Sequence, residues 1–76
     1  ADERASALVN LGEACRGLGR WEAALRAYHT ALALSPLPAI ALPALGGAAL
    51  AAARLGDAAH LVELVRAAEP VLARSG

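Results

Sequence analysis

The 76-residue sequence contains no lysine, phenylalanine, methionine or glutamine, and Trp21 and Tyr28 are its only large aromatic side chains. Seven arginines are balanced by seven acidic residues, so the chain lacks the excess positive charge that binding to a phosphate backbone requires. Two aromatic rings also offer few platforms on which bases could stack. These absences argue against a nucleic-acid partner. A single cysteine excludes an internal disulfide and any cysteine-based zinc cluster.

Hydrophobic residues make up 58% of the chain, and alanine and leucine supply nearly half of it. This content excludes intrinsic disorder, and the length allows one small domain over residues 1–76. The chain begins without an initiator methionine and without the basic-then-apolar layout of a signal peptide. We therefore expect a cytoplasmic domain that is excerpted from a longer chain.

The segment 27–53 carries no formal charge and is long enough for a membrane-spanning helix. However, Pro36, Pro38 and Pro43 interrupt it, and each proline removes a helical donor and clashes with the preceding turn. We therefore predict a helix, a turn and a second helix here, and no membrane partner.

Glycines and prolines divide the chain into four predicted helices. The first covers about residues 3–18, with Asp2 as its N-cap, and the second covers about residues 21–34. The third covers residues 43–55, and the fourth runs from residue 58 until Pro70 ends or kinks it. The predicted buried faces repeat every three or four residues. They are Leu8, Leu11, Gly12, Cys15 and Leu18 in the first helix, Trp21, Ala24, Leu25, Tyr28, Ala31 and Leu32 in the second, and Leu61, Val62, Leu64, Val65 and Ala68 in the fourth. The third helix is apolar nearly all round, which is typical of a helix buried on several sides.

The first two helices carry a spaced pattern of small and large residues. Leu8-x2-Leu11-Gly12-x2-Cys15, followed by Gly19, Trp21, Ala24-x3-Tyr28, Ala31-Leu32 and Pro36, resembles a tetratricopeptide repeat, or TPR, a helix–turn–helix unit of about 34 residues. Leu8 and Cys15 replace the usual Trp and Tyr. The resemblance covers residues 5–38. It implies an all-α fold of antiparallel helix–turn–helix pairs, stacked as a right-handed superhelical array of about four helices.

Residues 42–74 resemble a second, degenerate repeat, for which two registers compete. Leu42-x2-Leu45-Gly46-x2-Ala49 repeats the opening motif and starts the repeat at residue 39, whereas Gly56-Asp57-Ala58 resembles Gly19-Arg20-Trp21 and starts it near Leu42. Both registers hold if three residues were added, in the linker or in the third helix. The length of segment 37–41 favours the linker. This half is also similar to the Ala-rich terminal repeats of large bacterial signalling regulators that join an ATPase to a TPR array.

Residues with reactive side chains form no recognisable catalytic pattern. Cys15 lies within the apolar face of the first helix, so we predict a small buried core residue there. His29 and His60 are 31 residues apart on different helices with polar neighbours, whereas zinc requires three or four ligands. We therefore predict solvent-exposed histidines, no catalytic, metal or cofactor site, and no enzymatic activity.

The resemblance also implies a binding surface, because stacked TPR units bind peptides on a concave face lined by the first helix of each repeat. On this chain the face would present Ser6, Val9, Asn10, Glu13 and Gly17 from the first repeat, and Gly46, Gly47, Leu50, Ala53 and Arg54 from the second. The implied function is a protein–protein interaction module that binds a partner protein or itself. The family's carboxylate clamp is not reproduced, since the chain has no lysine. The alternative is a structural segment of a TPR array in a larger bacterial signalling or transcriptional regulator, with no ligand of its own.

Self-association is predicted separately, from the third helix. Arg54 is its only charged residue, and two repeats are fewer than the three that such arrays usually need. Closed dimers are the commonest homo-oligomers. We therefore expect a homodimer or a higher oligomer that buries Leu42, Leu45 and Leu50.

Overall fold

The computed structural model describes residues 2–75, which form four helices. They are α1 (Asp2–Gly17), α2 (Trp21–Leu34), α3 (Pro38–Leu55) and α4 (Ala58–Ser75). Consecutive helices pack against each other, and α3 also packs against α1. The described residues contain no strand. The prediction of an all-α, TPR-like array of helix–turn–helix pairs is confirmed.

The two helix–turn–helix units turn in the same way. In each turn a glycine, Gly19 or Gly56, adopts a positive φ of 74° or 73°. The N–H of the following residue, Arg20 or Asp57, donates to the carbonyl five residues earlier at 2.9 Å in both turns. This is the Schellman arrangement, which favours glycine because other residues are strained at positive φ. The shared geometry places Gly56 in register with Gly19.

Helix α3 begins at Pro38, earlier than the predicted start at Pro43. Pro38 lies in the first helical turn, where a missing N–H breaks no helical hydrogen bond. The N–H groups of Ile40 and Ala41 donate to the Leu37 carbonyl at 2.9 and 2.7 Å, and both side chains are buried. Burial of this additional turn outweighs the hydrogen bond that Pro43 removes inside the helix. The expectation of a long linker was therefore wrong, because only residues 35–37 separate α2 from α3.

The core is built around Tyr28, which is fully buried. Gly12 of α1 and Gly47 of α3 approach opposite edges of its ring. A Cβ atom would stand 2.7 Å from Tyr28 Cε1 if added at Gly12, and 2.6 Å from the hydroxyl oxygen if added at Gly47. Both distances are too short for ordinary contact, so the absence of a side chain lets the helices approach the ring. Tyr28 thereby contacts both units.

Helix α1 buries less of its predicted apolar face than expected. Gly12 is buried and Leu8 and Cys15 are half-buried, but Leu11 and Leu18 are exposed. The helix also includes Asp2, which was predicted to precede it as the N-cap. The exposed pair was wrongly assigned because Ala5, Gly12 and, in part, Leu8 form the face of α1 that packs against the neighbouring helices, and Leu18 lies beyond the end of α1.

Helix α4 packs against α3 and against no other helix among the described residues. Leu64 and Val71 are consequently its buried apolar residues, whereas Val62 and Val65 are exposed, contrary to the prediction. The helix also continues through Pro70 to Ser75, so Pro70 does not end it. Continuation past the proline places Val71 in the core.

Helix α3 is the one helix within residues 2–75 that is long and apolar enough to cross a membrane, judged by length and composition. It is also the central helix, since it packs against α1, α2 and α4. The core helix of a soluble protein meets the same criterion.

Candidate protein-binding site

A groove of about 430 Å³ lies between α1 and α3, the first helices of the two units. From α1 it is lined by Ser6, Val9, Asn10 and Glu13, which the TPR resemblance assigned to a concave binding face. Their spacing of three or four residues places them on one side of the helix. From α3 the groove is lined by Ala39, Ile40 and Pro43. Sequence reasoning missed the first two because it placed them in a linker, although Pro38 is a recognised signal of a helix start.

The groove carries little net charge, because its acidic residue is paired. Glu13 forms an ion pair with Arg16 one turn along α1. The buried Tyr28 hydroxyl lies near this pair, and no described residue offers it a hydrogen bond of normal geometry. Burial, followed by the negative charge of Glu13, raises the pKa of Tyr28 above its ordinary value of 10.0, while Arg16 opposes the shift. The phenol therefore stays neutral under physiological conditions.

The family comparison agrees with this geometry, since residues 5–38 match the family model described as tetratricopeptide repeat. Residues 5–38 are a tetratricopeptide repeat. No curated protein and no solved structure matches the chain. TPR units are in general protein–protein interaction modules and typically act as scaffolds without catalysis.

The second TPR-like unit does not present its predicted binding residues in the same groove. Leu50, Ala53 and Arg54 are exposed, but they lie further along α3 than the groove lining. The guanidinium carbon of Arg54 lies 5.4 Å from the centre of the Trp21 ring, so this arginine covers the start of α2. Gly47 faces Tyr28 instead, and Gly46 lines a different cleft. The first TPR unit therefore supplies most of the groove.

That different cleft, of about 250 Å³, lies between α3 and α4 and holds two of the residues predicted for self-association. Leu42 is half-buried and Leu45 is buried there, whereas Leu50 is 36% exposed. Leu45 is thus occupied by packing within the chain, and Leu50 offers more surface than the other two. Whether these leucines lie between two copies of the chain stays a prediction.

The two histidines, which sequence reasoning treated as unrelated, are neighbours in the TPR-like array. Their Nε2 atoms are within hydrogen-bonding contact, the ring centres are 4.5 Å apart, and the ring planes are inclined at 85°. His29 is exposed as predicted, but His60 is half-buried. No local pattern joins residues on α2 and α4, so only the stacking of the two units reveals this pair.

Proposed function

We propose that this chain is a non-catalytic binding module whose groove between α1 and α3 receives a segment of a partner protein. The observation that carries the proposal is the groove itself, because the first helices of two stacked units line it, as on the concave face of a TPR array. A cytoplasmic location is part of the proposal, since the single cysteine offers no internal disulfide.

The chemistry of the lining defines the partner segment. Val9, Ile40 and Pro43 offer apolar contact, while Ser6 and Asn10 are exposed and able to form hydrogen bonds. The one charged residue of the lining, Glu13, is neutralised by its ion pair. The matching ligand is therefore an uncharged, largely apolar peptide with polar groups along one edge.

Peptide display on the purified domain, followed by titration of the selected peptides, tests this proposal. Asn10→Arg places a bulky charge in the groove and should weaken binding about tenfold or more, equivalent to about 1.4 kcal/mol. Ala14→Arg is the matched control, because it adds the same side chain at an exposed position of α1 outside the groove. Equal losses in both variants, or none in either, would refute the assignment of the groove.

A second observation favours self-association as an additional role. Val62, Val65 and Leu72 of α4 are 51%, 61% and 55% exposed, and Leu42 and Leu45 line the cleft beside them. Large apolar side chains gathered on one surface mark an interaction site more often than isolated ones do. We propose a homodimer in which this face of α3 and α4, extended by Leu50, meets its copy.

Light scattering coupled to size exclusion, repeated over about a hundredfold dilution, tests the dimer. Val65→Glu should shift the equilibrium towards monomer without unfolding the chain, since Val65 is exposed, and Ala67→Glu on the same helix should not. A mass of 7.6 kDa at every concentration would refute the dimer. It would favour the alternative, in which another repeat of a longer regulator covers α4.

A further inference from the structure

We propose that His29 and His60 form a two-histidine site for a divalent late transition-metal ion, with Cu²⁺ bound more tightly than Zn²⁺. The observation is the approach of the two imidazoles across the array, with Nε2 directed at Nε2. Imidazole nitrogen is a preferred ligand of both ions, and the Irving–Williams order ranks copper above zinc.

The geometry requires a small adjustment to admit an ion. Zinc binds histidine nitrogen at about 2.0–2.1 Å, so two nitrogens in a tetrahedral shell stand about 3.3 Å apart. Rotation of the two side chains can supply that separation, because His29 is exposed and His60 is half-buried. The same exposure leaves room for water molecules as the remaining ligands. No group of three or more histidine, cysteine or acidic side chains able to hold a metal ion exists among residues 2–75, so we assign two protein ligands.

Each histidine is held by a regular helix. His29 lies in the interior of α2, and His60 lies in the first turn of α4. The N–H of His60 donates at 3.0 Å to Oδ1 of Asp57, the residue that precedes α4. This cap fixes the start of the helix and therefore the position of the His60 backbone. The site is thus mounted on rigid elements rather than on a loop.

The local charges favour a cation once the imidazoles are neutral. A metal ion binds the neutral form of each imidazole, so protons compete with the ion for the two nitrogens. The carboxylate of Glu63, one turn beyond His60, interacts electrostatically with His29. Its negative charge attracts a metal cation, while both Nε2 atoms stay available as ligands.

Metal binding here would join the two units of the array. Helices α2 and α4 do not pack directly against each other within residues 2–75, since α3 lies beside both. An ion held by His29 and His60 connects residues 31 positions apart and stabilises the folded chain by an amount that grows with the logarithm of the ion concentration above its dissociation constant.

Thermal unfolding of metal-free protein at about pH 7.5, with CuSO₄, ZnCl₂ or MgCl₂ added, tests the proposal. Cys15→Ser serves as the background, so that the thiol does not compete for metal. The melting temperature should rise with Cu²⁺ concentration, in logarithmic fashion above the dissociation constant, and less with Zn²⁺. Mg²⁺ should have no effect because it prefers oxygen ligands. Either His29→Gln or His60→Gln should abolish the rise, and so should lowering the pH to about 5, where protonation competes with the metal.

Calorimetric titration and copper electron paramagnetic resonance provide a second readout that does not depend on stability. We expect one ion per chain, with nitrogen hyperfine splitting that disappears in either variant. Ala14→Arg, at an exposed position of α1 outside the groove and on a helix that carries neither histidine, is the control and should retain both properties. A melting-temperature rise that persists in both histidine variants, a stoichiometry of one ion per two chains, or no binding in the parent protein would overturn the intrachain site.

Discussion

Replacement of Gly47 by alanine tests the role of Tyr28 as the residue around which the two units meet. Gly46 provides the matched control, because it is the adjacent residue of α3 and a Cβ there would contact nothing within 4 Å. Alanine is favoured over glycine in a helix interior by about 1 kcal/mol. Gly46→Ala should therefore stabilise the protein by about that amount.

Gly47→Ala gains the same helix propensity but forces a methyl group into the Tyr28 ring. Overpacking of a core costs about 1–3 kcal/mol, and the upper end applies because Gly12 closes the opposite edge of the ring. After the gain in propensity, the net loss is about 2 kcal/mol. The two variants should thus differ by about 3 kcal/mol in the free energy of unfolding.

Urea unfolding followed by far-ultraviolet circular dichroism measures both free energies. The variants should share one denaturant dependence and differ in midpoint, since the exposed surface on unfolding is unchanged. If Gly47→Ala is as stable as Gly46→Ala, the close approach of α3 to Tyr28 is refuted. The assignment of Gly47 to the core would then be wrong as well.

Three other outcomes follow from the same structure. Ala24→Leu fills a fully buried position and should cost about 1–3 kcal/mol, measured by thermal unfolding; a melt no lower than that of the parent would contradict the packing of α1 on α2. Cys15 is half-buried, so a thiol reagent should label it slowly in the native protein and rapidly in urea, and equal rates would disprove its packing. Burial, followed by the nearness of His60, lowers the pKa of His29 from its ordinary value of 6.5, while Glu63 opposes the shift. As the pH falls, His29 is therefore protonated in the unfolded chain at a higher pH than in the folded chain. Stability should therefore fall as the pH drops below about 6.5 and level off below the folded-state pKa, less so in His29→Gln.

The first TPR unit was predictable from sequence because its determinants are local. Gly12, Ala24 and Tyr28 follow the spacing of the TPR pattern, and the family model matches the predicted residues 5–38. The two turns were equally readable, since Gly19 and Gly56 each end a helix with a positive φ that other residues avoid. The four residues of α1 that line the groove were predicted from the same alignment of residues 5–38 with the TPR pattern.

Tertiary packing decided the features for which local signals conflict. Pro38 and Pro43 each permit a helix start, and burial of Ile40 and Ala41 selected the earlier one, which completed the α3 side of the groove. Similarly, the apolar pattern of α4 reports which residues could be buried but not how many neighbours the helix has. Because α3 is the only helix packed along α4 among the described residues, and α2 reaches it through the contact of His29 with His60, α4 leaves Val65 exposed.

The histidine pair depends on tertiary structure most completely. The sequence alone determined that His29 and His60 lie on helices, because apolar periodicity specifies helices residue by residue. Their contact depends instead on how α2 and α4 are each placed against α3. Periodicity within a helix carries no information about a neighbour 31 residues away, so the candidate metal site emerges only from the folded array.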